Sequence, residues 1–490
     1  MKYLKKHFGI TLLILLLASL FLLSCSSKEE ESSSTSTTAA VTCASSRSLT
    51  ASTKVPLLLV RVQYADATFQ SSETTWADKM FGTSDGQMND YLNETTYGKY
   101  QFTPVAETSG CTDDGVVTVT MSGNHPNTQK TSWNSYAFTA ITAADSSVNF
   151  ASYDNDSDGK LSVSELQVIF LVAGGESASG INSPGGVWAQ ATGLSFDPNG
   201  DGYILNTPCT SSSEECNGVK MDNVWFLGLN SSGQNGYSQF GERQGSSSST
   251  TWDATIGVMA HELGHAYFLL PDLYCTTGTC AGIGNFGMMG GGAWGYKSSS
   301  EYAGATPVHF SAWAKEKLSI CTPQTVASGT NSITLPAVYQ SSTHAASCGI
   351  YKATTSTSGE YFLFENRSSG GYDQGFNGLL LGASSTTPVG SSYSGGAAIW
   401  HVKDIYSTCS AYNNCETQSP KLLDLEEANN ADLDNGSSSG RTTHLFYSAN
   451  SATFNNSSTP DSKLYDNSSS GISATSISAA GDSMTLTISK

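Results

Sequence analysis

The sequence predicts an α+β domain over residues 51–320, followed by an all-β, sandwich-like domain over residues 321–490. Three observations carry that expectation. Apolar β-like runs alternate with helix-like spacing up to about residue 320. Beyond it, short β-like segments are separated by Ser, Gly and Asn clusters, as in a sandwich. A chain of 490 residues also exceeds one ordinary core, so two folded domains plus processing segments are expected.

The elements follow in order. Residues 54–64 (KVPLLLVRVQY) are a strongly apolar strand candidate, and residues 88–96 have helical spacing that stops at Tyr97-Gly98. Residues 166–173 (LQVIFLVA) read as a second buried strand. The run TWDATIGVMAHELGHAYFLL, residues 251–270, has the length and apolar content of a core helix, with Thr251 or Asp253 as N-cap. A further helix is expected over residues 307–318, and strands over residues 360–366, 397–402, 421–425 and 483–489.

Composition narrows the class. Hydrophobic residues are 38% and charged residues only 13%, so there is enough apolar material for sizeable cores. Forty-two acidic residues against 23 Lys plus Arg give a net charge of -19, which excludes a nucleic-acid partner that needs clustered cations. Lys2, Lys5 and Lys6 ahead of an apolar run over residues 8–23 predict an export signal over residues 1–24. Leu22-Leu23-Ser24-Cys25 resembles a bacterial lipobox, implying cleavage before Cys25, its acylation and either a membrane anchor on the outer membrane or cell surface or extracellular release. Residues 25–50 then form a Ser-rich tether. Ten further cysteines in an exported chain predict disulfides. Close spacing favours Cys209 with Cys216, Cys275 with Cys280, and Cys409 with Cys415, leaving Cys43, Cys111, Cys321 and Cys348 for longer bridges.

His261-Glu262-Leu263-Gly264-His265 is an H-E-x-x-H motif inside the expected helix. Residues four apart share a helical face, so both imidazoles can reach one zinc ion at about 2.0 to 2.1 Å. Glu262 then stands beside the open coordination position as general base, because zinc lowers the pKa of bound water to about 7. Catalytic zinc needs a third protein ligand, and Asp272 is the natural candidate, since Pro271 ends the helix and turns the chain back. The Gly-rich stretch 287–294 is suited to a tight turn that sets a methionine beneath the metal.

Taken together, these segments resemble the immune inhibitor A family of bacterial metallopeptidases, relatives of the metzincins. The likeness lies in residues 91–99 (YLNETTYGK), the loop at Asp154, HELGH with Pro271-Asp272-Leu273-Tyr274, the Met-turn around Met289, and residues 309–313 (HFSAW). It continues through residues 360–367 (EYFLFENR), 399–402 (IWHV) and 472–488, covering roughly residues 54–490. The resemblance implies a metzincin-like zinc protease domain acting on protein or peptide substrates. Two departures stand out. The family pattern is H-E-x-x-H-x-x-G-x-x-D, whereas Phe268 holds the glycine position here and Asp272 lies one residue late. Either the helix end carries a one-residue insertion or the third ligand comes from elsewhere. Residues 26–53 are also too short to resemble the family's prosegment.

Residues 154–165 (DNDSDGKLSVSE) fit a twelve-position EF-hand loop, which predicts calcium on Asp154, Asp156, Asp158, the Lys160 carbonyl and Glu165. Residues 197–202 lack the final Glu and read as a plain turn. Gly282 to Gly287 match G-x-G-x-x-G without the βαβ context, and Gly175-Glu176-Ser177 suggests a serine elbow without a placeable acid and base. His309, His344 and His401 lack ligand spacing and read as structural. The expected activity is therefore a surface-anchored zinc endopeptidase. Its rivals are a protease-like lipoprotein that binds without turnover, and an adhesin built on residues 322–490.

Overall fold

The computed structural model describes residues 50–131, 133–194, 218–229, 235–340, 346–406, 416–417, 419–429 and 431–490. The export signal, Cys25 and most of the tether, Cys43, Cys209, Cys216, the 197–202 turn, His344, Cys409 and Cys415 lie outside them.

The architecture is mixed α/β, with strands predominating. Its main sheet is built around Thr53–Gln63, which pairs in parallel with Tyr100–Pro104, Val116–Thr120 and Gln167–Glu176. Tyr237–Ser247 continues the sheet in parallel from Gln167–Glu176. Its other edge carries the antiparallel Gln190–Thr192 and Thr250–Asp253. Central parallel strands are covered on both faces, which is why QVIFLVAGGE is buried throughout instead of alternating. Side chains still divide by parity. Leu57, Leu59, Ile169 and Leu171 enter one core with the HELGH helix, and Leu58, Val60, Val168 and Phe170 enter the other.

The expected helix over residues 251–270 divides into different elements. Thr250–Asp253 is an edge strand, Ile256–Ala266 is the helix, and the chain then reverses. Neither expected N-cap is correct: Thr255 holds that position, and Asp253 pairs with Arg243 across the ladder. An apolar run alone does not show where strand pairing stops and helix begins. Met88–Thr95 is helical and ends at Tyr97 and Gly98, whose φ angles are 52° and 72°. Within 307–318 only Ala312–Lys317 is α-helical, capped by Ser311, whose hydroxyl accepts from the Ala314 N–H.

After residue 320, Glu360–Asn366, Ala397–Lys403 and Leu423–Leu425 form an antiparallel sheet with Tyr351–Thr354, while Ser483–Ser489 pairs with Thr330–Pro336 and Ser473–Thr475. The two sheets share a core containing Leu335, Phe362, Phe364, Ile399, Met484 and Leu486. On the opposite sheet face, Leu363, Trp400 and Val402 join the core of the HELGH helix, so that core runs across residue 320. Cys275 is bridged to Cys280, and Cys321 to Cys348. Cys111 is also disulfide-bonded.

Candidate metal centre

The site begins with a glycine. A Cβ on Gly264 would collide with the sulfur of Met289, so the helix can lie on that thioether only because position 264 has no side chain. One turn apart on the same face, His261 and His265 are each 8% exposed. Both rings are fixed from behind. His261 Nδ1–H donates to the Met288 carbonyl at 3.0 Å and His265 Nδ1–H to the Leu270 carbonyl at 2.6 Å. With Nδ1 engaged in this way, each ring turns its Nε2 toward the other, the orientation in which both nitrogens can face one ion.

The chain reversal supplies the third group. Leu269, at φ 57°, takes the left-handed conformation that closes the helix, and the Leu270 N–H donates back to the Gly264 carbonyl. Asp272 follows three residues later. The left-handed residue thus stands one position after Phe268, and the late carboxylate of Asp272 is still turned back toward the histidines. Asp272 Oδ1 lies 3.0 Å from His261 Nε2 and 3.1 Å from His265 Nε2, and the two nitrogens are 3.2 Å apart. Ligands around a tetrahedral zinc stand about 3.3 Å apart. The chemistry of the donor set thus fits a divalent metal.

The electrostatics agree. Burial alone would lower the His261 imidazole, but Asp272 and Glu262 raise it to about 9 in the metal-free protein. Burial would raise Asp272, yet the two imidazoles hold it well below the usual carboxylate range. Burial raises Glu262, opposed by His261 and His265. Glu262 Oε2 accepts the Ala191 N–H at 2.7 Å, which ties it to the edge strand Gln190–Thr192. His261 and Glu262 open onto a cavity of about 400 Å³ that Trp188, Val258, Ala293 and Trp294 line with apolar surface.

Residues 238–321 match the family model of the immune inhibitor A peptidase M6 catalytic domain. That match spans the helix, Asp272 and Met289, and it bears out the resemblance to the immune inhibitor A family of metallopeptidases. The activity it supports is that of a peptidase, acting on protein substrates with a metal. No curated protein matches the chain.

The other expected sites separate. Asp154, Asp156 and Asp158 bring carboxylate oxygens together, but Glu165 does not join that convergence. Its carboxylate accepts instead from the backbone of Asn155, Asp156 and Ser162 and from the Ser162 hydroxyl. Ser177 donates to Asn182 rather than meeting a base, and Gly284–Phe286 is a short 3₁₀ turn with no strand before it. His309 pairs with Glu94, and His401 lies between Glu360 and Glu426.

Two participants were missed at the sequence level. Glu176 is buried where the serine elbow was considered; it accepts the Ala178, Ala189 and Gly241 N–H groups, and burial raises its carboxyl to about 8. It thereby fastens the start of the strand that contacts Glu262. Tyr274 lines the cavity beside His261, its hydroxyl a partner of Asp272. The only signal was an aromatic residue two positions after the acid.

Proposed function

We propose that the chain is a zinc-dependent endopeptidase of metzincin-like type, exported and anchored through a lipid on Cys25, acting on extracellular proteins. The observation that carries this reading is the meeting of His261 Nε2, His265 Nε2 and Asp272 Oδ1 within 3.2 Å, with both Nδ1 atoms engaged by carbonyls. Zinc held there supplies Lewis acidity, making water nucleophilic near neutral pH and polarising the scissile carbonyl. Glu262, adjacent to His261 and opening onto the cavity, takes the proton from the attacking water and passes it to the leaving amine. Met289 and the two carbonyls keep the ligands from relaxing away.

Casein cleavage tests it. Activity should disappear with 1,10-phenanthroline and return on adding zinc, and Glu262→Ala should retain zinc while losing cleavage. Zinc-loaded protein that leaves casein and varied peptides intact would overturn it and favour the non-catalytic lipoprotein. That rival rested on the displaced helix end, where Asp272 nonetheless reaches both histidines. We assign calcium to Asp154, Asp156, Asp158 and the Lys160 carbonyl as a stabilising site, resting on the convergence of the three carboxylates. Globomycin-sensitive processing and palmitate labelling that disappears in Cys25→Ser test the anchor.

A further inference from the structure

Arg367, in the ENR segment, has no exposed surface and lies far along the chain from the zinc motif. Its Nε and Nη2 donate to the two oxygens of Asp373 at 2.6 and 2.7 Å, and Nη1 lies 3.4 Å from Glu365 Oε1. Asp373 Oδ1 also accepts the His309 N–H, and Glu365 Oε1 accepts from Trp400 Nε1 and the Ala312 N–H, with Lys315 Nζ 3.8 Å from its other oxygen. A buried ion pair of this kind is a weak device for stability, since apolar residues often serve as well. What an apolar pair cannot supply is the remaining pair of donors. Arg367 Nη1 donates to the Phe286 carbonyl, and Nη2 reaches the His309 carbonyl at 3.5 Å.

Those two carbonyls bracket the turn on which the metal centre stands. Met288 N–H donates to the same His309 carbonyl at 3.2 Å, and the Met288 carbonyl accepts from ligand His261. One residue on, the Met289 carbonyl accepts the Leu273 N–H next to Asp272, while the Met289 sulfur sits under Gly264. We propose that Arg367, oriented by Asp373, is a positioning residue for the metal centre: its guanidinium grips the 286–289 turn so that Met288 aims His261 and Met289 holds the Asp272 segment. The inference rests on the zinc reading, and it makes the strand Glu360–Asn366 and its continuation part of the centre's support.

The test uses the full chain with Arg367→Lys, which keeps a cation beside Asp373 but cannot span both carbonyls, and with the double variant Arg367→Met/Asp373→Asn, which removes the charges but keeps an acceptor for His309. Zinc affinity, measured by competition with a chromophoric chelator, should fall about 10- to 100-fold in variants whose thermal unfolding matches the parent. kcat should fall with it while KM stays within twofold. Folded variants with parental zinc affinity and kcat would overturn the proposal. Hydrogen exchange of the parent covers variants that do not fold: in metal-free protein the Met288 amide should be as protected as that of Ile399, and exchange at loop rates would overturn it. A parent that binds zinc but cleaves nothing would refute the peptidase alone, because zinc affinity and Met288 protection are read without turnover.

Discussion

Two groups of candidate ligands converge among the described residues, and they differ in what already occupies their lone pairs. At His261, His265 and Asp272, backbone carbonyls take the outward Nδ1 protons, and the inward atoms face one another in a site at most 8% exposed. In the 154–165 loop, backbone N–H groups already occupy the carboxylates: Asp154 accepts from Asp158 and Gly159, Asp156 from Asp158, and Asp158 from Lys160. Convergence is common to both. The difference teaches that convergence alone does not make two sites alike: the zinc ligands are aimed inward by partners behind them, whereas the loop's acids are also engaged by the loop's own backbone.

The largest effects should therefore fall on the buried group. Asp272→Ala leaves two ligands where catalytic zinc uses three, and should weaken zinc by more than about 100-fold, beyond the usual loss from altering an outer partner. Asp156→Ala should leave zinc content and casein cleavage at parental levels. Metal analysis and turnover of the purified pair decide this, and equal losses in both variants would erase the comparison. Glu262→Gln should keep zinc while kcat falls about 10²- to 10⁴-fold, the range for a removed general base. A smaller loss would move proton transfer to another group.

How much was legible depended on distance along the chain. HELGH could be read because helical spacing alone brings its histidines together, and strands such as Glu360–Asn366 because a run of apolar and β-prone residues names itself. Arg367 could not be read as part of the centre, because its partners Phe286 and His309 are brought to it only by the tertiary fold. Asp272 fell between. Its lateness could be seen, but not that Leu269 would take the left-handed turn and carry the acid with it. Glycine tolerates that conformation, whereas leucine there costs about 1–2 kcal/mol. Leu269 is half-buried, so Leu269→Gly gains backbone freedom and loses some packing. The expected net is a stabilisation of no more than about 1 kcal/mol by chemical denaturation, with zinc affinity unchanged. Loss of zinc on that change would mean that the Leu269 side chain, rather than the turn, places Asp272.

The smallest effects belong to the acidic loop, where they separate a calcium ligand from a backbone fastener. Burial would raise the Glu165 carboxyl, but the Ser162 backbone and hydroxyl and the Asn155 and Asp156 amides outweigh it and hold it below its ordinary value. A carboxylate with a depressed folded pKa stabilises above its unfolded pKa, about 4.3, and that contribution disappears as pH falls through the folded value. Glu165→Gln should accordingly cost about 1 kcal/mol at pH 7 and progressively less as pH falls below the ordinary carboxylate range, in calcium and in EGTA alike. Asp156→Asn should lower the unfolding midpoint in calcium and leave it unchanged in EGTA. If the Glu165 effect also vanished in EGTA, Glu165 would be a ligand. If EGTA left the parent's unfolding midpoint unmoved, the calcium assignment would be wrong, and the three aspartates would be a turn satisfied by its own backbone.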